Sequence, residues 1–194
     1  MEHTLEQLYE MQKVLDARII AEKGLEGVDL LPNTVLALQV ELGELANEWR
    51  GFKHWSNDRS PRTNKKDHCN DCLPFTEAQC YTCNNTGFIT RNPLLEEYVD
   101  CLHFFLSIAR QLGLPVKELE RAEDRLIASS TAEEFSSIMT AAGLIDYDEI
   151  DAYYDAWNWF MALGAERLGF TFDQIAAAYI AKNEVNHRRQ SNGY

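Results

Sequence analysis

Apolar residues recur at three- and four-residue intervals along almost the whole chain, and no stretch alternates as a half-buried strand would. Leu5, Leu8, Met11, Leu15 and Ile19 mark a first helix, which Gly24 and Gly27 bring to an end. A second runs from about Asn33 to Arg50, with Asn33 or Thr34 as N-cap after Pro32. Residues 51–93 then break the pattern: they are rich in Asn, Asp, Pro, Thr and Cys, and no helix is predicted there. From Pro93 a strongly apolar helix runs to about Leu112 and stops at Gly113. Pro115 opens another through Val116, Leu119 and Leu126, and Thr131 caps a short one reaching Ala142. Helices over 148–168 and 171–190 complete the set, and the tail after them is loose. The expected fold is all-α, a bundle of six or seven helices. Residues 1–194 form a single domain, interrupted by one inserted lobe at 56–92.

Charge and flanking composition narrow the partners. The net charge is −13, from 31 acidic and 18 basic residues, which argues against a polynucleotide-backbone binder. A small nucleotide stays compatible, because a bound cation can mediate between carboxylates and phosphates. The first dozen residues carry charges throughout and lack the apolar core of a signal peptide. The longest uncharged run, Ala78–Thr90, is too short and too polar to span a bilayer. The expectation is a cytoplasmic protein with no membrane partner.

Two carboxylate pairs change the picture. Glu41 and Glu44 stand at i, i+3 on the second helix, with Glu48 a turn further along. Glu97 and Asp100 repeat the spacing on the apolar helix. Any single pair of this kind is usually a solvated helix face. At about 100° per residue, however, Glu97 and Asp100 share their face with Cys101, Phe104 and Ile108, so partial burial is expected. Two carboxylates about 4–5 Å apart repel by roughly 3–4 kcal/mol at an effective dielectric of 20. Four together require a cation, and Mg²⁺ suits oxygen ligands and phosphate chemistry best. Two such helices packed antiparallel would build the site.

These residues carry a resemblance. ExxE on one helix and ExxD on the next is similar to the signature of the all-α nucleotide pyrophosphohydrolase superfamily. Phe52–Trp55 (FKHW) follows the first pair, and EYVDCLHFFL spans Glu97–Leu106. The closing segment Ala178–Tyr194 resembles the last motif of dimeric dUTPases, and Leu8–Asp16 resembles their first, with its Gln at Gln12. The resemblance implies a homodimeric enzyme that hydrolyses dUTP to dUMP, releasing pyrophosphate, with dUDP as a further candidate substrate. It makes Glu41, Glu44, Glu97 and Asp100 the Mg²⁺ ligands and catalytic acids, with Glu41 orienting or deprotonating the attacking water. Gln12, Asp16 and Trp55 become candidates for the base pocket. The first motif often has Asn where this chain has Asp16, which puts uracil selectivity in question. Two alternatives stay open: a pyrophosphohydrolase of the same fold with another or broader dNTP specificity, and a non-catalytic helical adaptor.

The last helix adds cations. Tyr179, Lys182, Asn186 and Arg189 follow i, i+3, i+7, i+10 and so line one face, with Asn183 at its edge. Two readings stand: a polyphosphate grip opposite the metal, or a solvated C-terminal turn whose cations complement the helix dipole. Lys53 and His54 are weaker phosphate candidates. His103 reads as a structural hydrogen-bonding residue and Cys101 as core. Arg59, Arg62, Lys65 and Lys66 read first as solvation of the loop.

The cysteines belong to a different chemistry. Fifty-two residues separate Glu44 from Glu97, far more than the superfamily's usual connection. The excess carries Cys69, Cys72, Cys80 and Cys83 as CxxC-x7-CxxC, with His68 alongside and with Pro74 and Gly87 where tight turns are needed. Paired CxxC units read as ligands of structural Zn²⁺ before they read as disulfides or free thiols.

Overall fold

The computed structural model describes residues 3–193 apart from 70, 73–79 and 122–128. Among the described residues the protein is a helical bundle: α1 Leu5–Lys23, α2 Leu31–Trp49, α3 Pro93–Gln111, α4 Val116–Leu119, α5 Thr131–Ala142, α6 Ile150–Ala162 and α7 Phe172–Ser191. A π-helical turn at Leu163–Arg167 follows α6. The expected all-α class is what is found, with one small addition in the insert.

The helix starts follow from local chemistry. Thr4, Ser130 and Thr171 each accept a hydrogen bond from the backbone three residues on, and the side chains of Gln7, Glu133 and Gln174 in turn accept one from the cap amide. The α2 start corrects the sequence expectation. It begins at Leu31, two residues earlier than predicted, because the Asp29 carboxylate accepts from the Leu31 amide at 3.1 Å. Pro32 then sits in the first turn, where an amide donor is not needed. Ser130, rather than Thr131, caps α5. Of the predicted helix beyond Pro115, Val116–Leu119 is observed; its Leu126 lies outside the described residues, as does Pro74 of the insert.

The insert departs most from expectation. Lys65–His68 (β1) and Phe88–Arg91 (β2) pair antiparallel, in register Lys65↔Arg91 to His68↔Phe88. These strands are four residues each and mostly exposed, so they lack the apolar alternation that announces a strand.

α3 is the axis of the core. It buries eleven residues, and Phe105 packs among Tyr153, Trp157 and Phe160 of α6. Tyr98 stacks on Phe160 at 4.2 Å and donates to the Phe160 carbonyl. Gly164 in the π-helical turn admits this ring: a Cβ there would lie 2.3 Å from the Tyr98 hydroxyl. α2 runs antiparallel to α3, since Gln111 near the end of α3 donates to Thr34 near the start of α2, while Glu41 meets Glu97. α7 packs against α3 and α1 and closes the side on which the acids stand.

Candidate functional site

The antiparallel pair puts three of the predicted acids together. Carboxylate oxygens of Glu41, Glu44 and Glu97 lie within 4.8 Å of one another. Glu41 and Glu97 are partly buried and Glu44 is exposed. Burial first, and then the neighbouring carboxylates, push the carboxyls of Glu41 and Glu97 up to about 7. For both, Asp100 is the strongest of the like charges.

Asp100 itself is engaged elsewhere. Its carboxylate is bound by the Lys182 ammonium of α7, and burial still raises it above the usual range. Three crowded oxygen donors, of which burial and neighbouring charge hold Glu41 and Glu97 short of full ionisation, fit a hard divalent cation, which would relieve the repulsion among them. Nitrogen or sulfur ligands are missing from the set, so a softer metal gains little there.

Beside the acids opens a cavity of about 560 Å³. Glu41, Asp100, Lys182, Asn186 and Arg189 line one part of it. Gln12, Asp16, Arg110 and Gln111 line another, with Leu15, Ile19 and Phe104 supplying apolar wall. Lys182, Asn186 and Arg189 of α7 thus line the same cavity as Glu41 and Asp100.

The inner wall is a fixed network. Gln12 is 4 % exposed, and its carbonyl oxygen accepts from the Tyr179 hydroxyl at 2.7 Å. The same oxygen lies 2.7 Å from His103 Nδ1, which requires the imidazole to carry its proton on Nδ1. Burial, with a smaller contribution from Lys182, lowers the His103 pKa to about 3, so the ring is neutral. It stacks on Tyr179 at 4.0 Å. The Gln12 amide donates to Asp16 at 2.7 Å, and Asp16 pairs with Arg110. Arg110 is a residue that sequence reasoning missed. Its signal was available: it stands ten residues after Asp100 on α3, on the carboxylate face of an otherwise apolar helix.

Other candidates are not brought to the cavity. Trp55 is 68 % exposed, edge-on to Phe52 and His54, and does not line the cavity among the described residues. Lys53 turns back to Asn47 and lies over the Phe52 ring. The turn after α2 carries both away: Arg50 takes a left-handed backbone and is tied down by Asp58. Asn183 is buried at 4 % exposure on the inner side of α7, rather than at the edge of its cavity face. Arg62 pairs with Asp58 and Glu48, Lys65 with Asp67, and Lys66 lies over Phe88, so these cations serve the loop. The four insert cysteines gather separately, their Sγ atoms all within 4.8 Å of one another.

A family model described as dUTPase matches residues 4–92 and 83–194. The chain belongs to the dUTPase family. Its membership supports a hydrolase acting on a nucleoside triphosphate, and the helical architecture is that of the dimeric, all-α dUTPases. The two matched segments of this dUTPase-family chain overlap at 83–92, inside the cysteine-bearing insert. No curated protein matches the sequence. Among the described residues no helix is long and apolar enough to cross a membrane.

Proposed function

We propose that the protein is a Mg²⁺-dependent dUTP diphosphatase that adds water to dUTP to give dUMP and pyrophosphate. The observation that carries this reading is one cavity lined both by Glu41 and Asp100 and by Lys182, Asn186 and Arg189 of α7, with Glu44 and Glu97 clustered on Glu41. Glu41, Glu44 and Glu97, joined by Asp100, are the residues that would hold Mg²⁺. When bound, the ion neutralises phosphate charge and lowers the cost of charge developing in the transition state.

Glu41 orients the attacking water and takes its proton; a carboxyl raised to about 7 suits a general base near neutral pH. Lys182, Asn186 and Arg189 bind the phosphate chain as charged and amide donors. Lys182 exchanges Asp100 for a phosphate oxygen, and Asp100 so freed would stand among the residues that would hold Mg²⁺. Gln12, Asp16 and Arg110 face the base end, where the network through His103 and Tyr179 holds the Gln12 amide in one orientation. dUDP shares the base and the α-phosphorus and is a second candidate substrate.

Residues 1–194 act as one domain carrying the 56–92 lobe, in the cytoplasm. Membership of the dUTPase family favours a homodimer. Turnover of dUTP against dCTP, dTTP and dATP, with and without Mg²⁺, is the test. Equal rates on all four, or full rates after chelation, would retire the proposal.

A further inference from the structure

Beyond the Arg50 turn, the described residues between α2 and α3 bury few side chains, and those few are cysteines. Among the described residues 51–92, only Cys69 and Cys83 are buried, at 8 % and 6 % exposure. No described residue of this segment belongs to the buried cluster that forms the bundle core. Among the described residues the lobe has no apolar interior to hold it together, so their order needs another source.

Its backbone converges on the sulfurs. The Cys69 amide donates to the Gly87 carbonyl at 2.9 Å, one rung beyond His68↔Phe88. After Cys83 the chain turns through left-handed Asn84, Asn85 and Gly87. That turn lets Cys80 N reach the Asn85 side-chain oxygen at 2.7 Å and Thr86 N reach the Cys83 carbonyl at 3.1 Å. The two CxxC turns thus face each other. Sγ–Sγ distances are 3.7 Å for Cys69–Cys80 and 3.3 Å for Cys72–Cys83, and all four sulfurs lie within 4.8 Å. A disulfide requires about 2.05 Å. Four thiolates about 2.3 Å from a tetrahedral ion stand about 3.8 Å apart. The spacing is that of sulfurs around an ion, and an all-sulfur set selects a soft or borderline metal over Mg²⁺ or Ca²⁺.

We infer that Cys69, Cys72, Cys80 and Cys83 bind one Zn²⁺ ion, which takes the place of a hydrophobic core in the inserted lobe. Four protein ligands complete the tetrahedron and leave no open position, so the ion is structural. The lobe it orders is fastened to the catalytic helix. Arg91 of β2 grips Glu96 and reaches Asp67 of β1 at 3.4 Å. Leu94 N donates to the Arg62 carbonyl, and Arg62 N to the Glu48 carbonyl. These contacts end one residue short of Glu97.

Elemental analysis of protein purified without added metal tests the assignment. One zinc per chain is expected in the wild type and in Glu44→Gln/Glu97→Gln, which lacks the carboxylate site. Loss of that zinc is expected in Cys72→Ser/Cys83→Ser. Cobalt exchange of the wild type should give thiolate-to-cobalt charge transfer and the strong visible bands of a tetrahedral ion. Stripping the zinc should leave the far-UV helical signal intact while opening residues 56–92 to limited proteolysis. Less than half an equivalent of zinc with no such cobalt spectrum overturns the site. Iron in its place overturns the zinc assignment, and loss of helical signal on stripping overturns its confinement to the lobe. Should the cysteine variant fail to fold, the wild type and the carboxylate variant decide the matter alone. None of these readouts depends on nucleotide hydrolysis, so the lobe and the active site stand or fall separately.

Discussion

Lys182 of α7 holds the carboxylate of Asp100 on α3, and so draws one of four acids away from the other three. The pair is partly buried, with side-chain exposures of 24 % and 16 %. Removing the ammonium should act on metal and substrate in opposite directions. In Lys182→Met, Asp100 is free to join Glu41, Glu44 and Glu97, so Mg²⁺ binding without substrate should tighten. The phosphate loses a charged hydrogen bond worth about 1.5–3 kcal/mol, so kcat/KM should fall about 10- to 100-fold. Calorimetric Mg²⁺ titration beside dUTP kinetics checks both. Weaker Mg²⁺ binding in the variant would show that Lys182 supports the acid set instead of competing with it.

Glu44→Gln combined with Glu97→Gln should abolish hydrolysis while leaving the metal-free fold at least as stable as the wild type. The carboxyls repel one another, and Glu97 is held partly out of water at a cost. Neutral amides remove that repulsion without opening a cavity. Thermal melts in chelator at pH 8 supply the stability half. A melting point well below wild type would mean that these side chains make structural contacts beyond charge.

Mg²⁺ should stabilise the protein more as pH rises. Glu41 and Glu97 titrate near 7 in the folded, metal-free protein against an ordinary value of 4.5. Their folded pKa values lie above the unfolded ones, so without metal they favour folding below about 4.5 and progressively less as pH rises through 7. Protons and Mg²⁺ compete for the same oxygens. The rise in melting temperature on adding Mg²⁺ should therefore be small at pH 5.5 and large at pH 8. A rise independent of pH would place the ion elsewhere.

How much of this was legible beforehand depended on what each residue packs against. The helices were readable because Leu, Ile and aromatic positions recur at helical spacing, and the second acidic pair stood out because Phe104 and Ile108 share its face. The withdrawal of Asp100 by Lys182 was not readable, since it depends on how α7 crosses α3. The hairpin β1–β2 left no trace because both its faces are wet and the end beyond His68↔Phe88 runs into a cysteine cluster, not apolar side chains. Trp55 looked like a wall of the base pocket by motif order alone. The left-handed Arg50 turn takes it outward, and a turn of that kind at a non-glycine residue has no reliable sequence signal.

Gly164→Ala should be among the most damaging single-methyl changes available. The new Cβ would stand 2.3 Å from the Tyr98 hydroxyl and 2.5 Å from its ring, and Tyr98 is fully buried between Phe160 and Phe170. The ring has nowhere to move, so overpacking of about 1–3 kcal/mol or more is expected. Denaturant melts would show it as a lowered midpoint with an unchanged slope. Gly164→Ala/Tyr98→Leu should recover part of the loss, because the smaller side chain vacates the contested space. No recovery in the double variant would locate the damage in the π-helical turn itself.

Acid should attack the base-pocket wall through His103. The ring is buried and neutral, with its pKa near 3 against an ordinary 6.5, and its Nδ1 proton is committed to Gln12. A base whose folded pKa is depressed adds stability in full above 6.5 and loses it as pH falls from 6.5 towards 3, because the unfolded chain takes up the proton first. The loss over that window is on the order of 4 kcal/mol. Glu41 and Glu97 oppose it between 7 and 4.5, so the wild-type curve alone mixes the two. The difference between wild type and His103→Phe isolates the histidine, since both share the carboxylates and a phenyl ring can keep the stack on Tyr179. Wild type should lose stability faster than the variant between pH 6 and 4, and nitrogen NMR of its imidazole should show a neutral Nδ1–H tautomer at pH 5. A ring that titrates near 6.5 would mean that the pocket wall is open to water and that Gln12 is not held as the geometry requires.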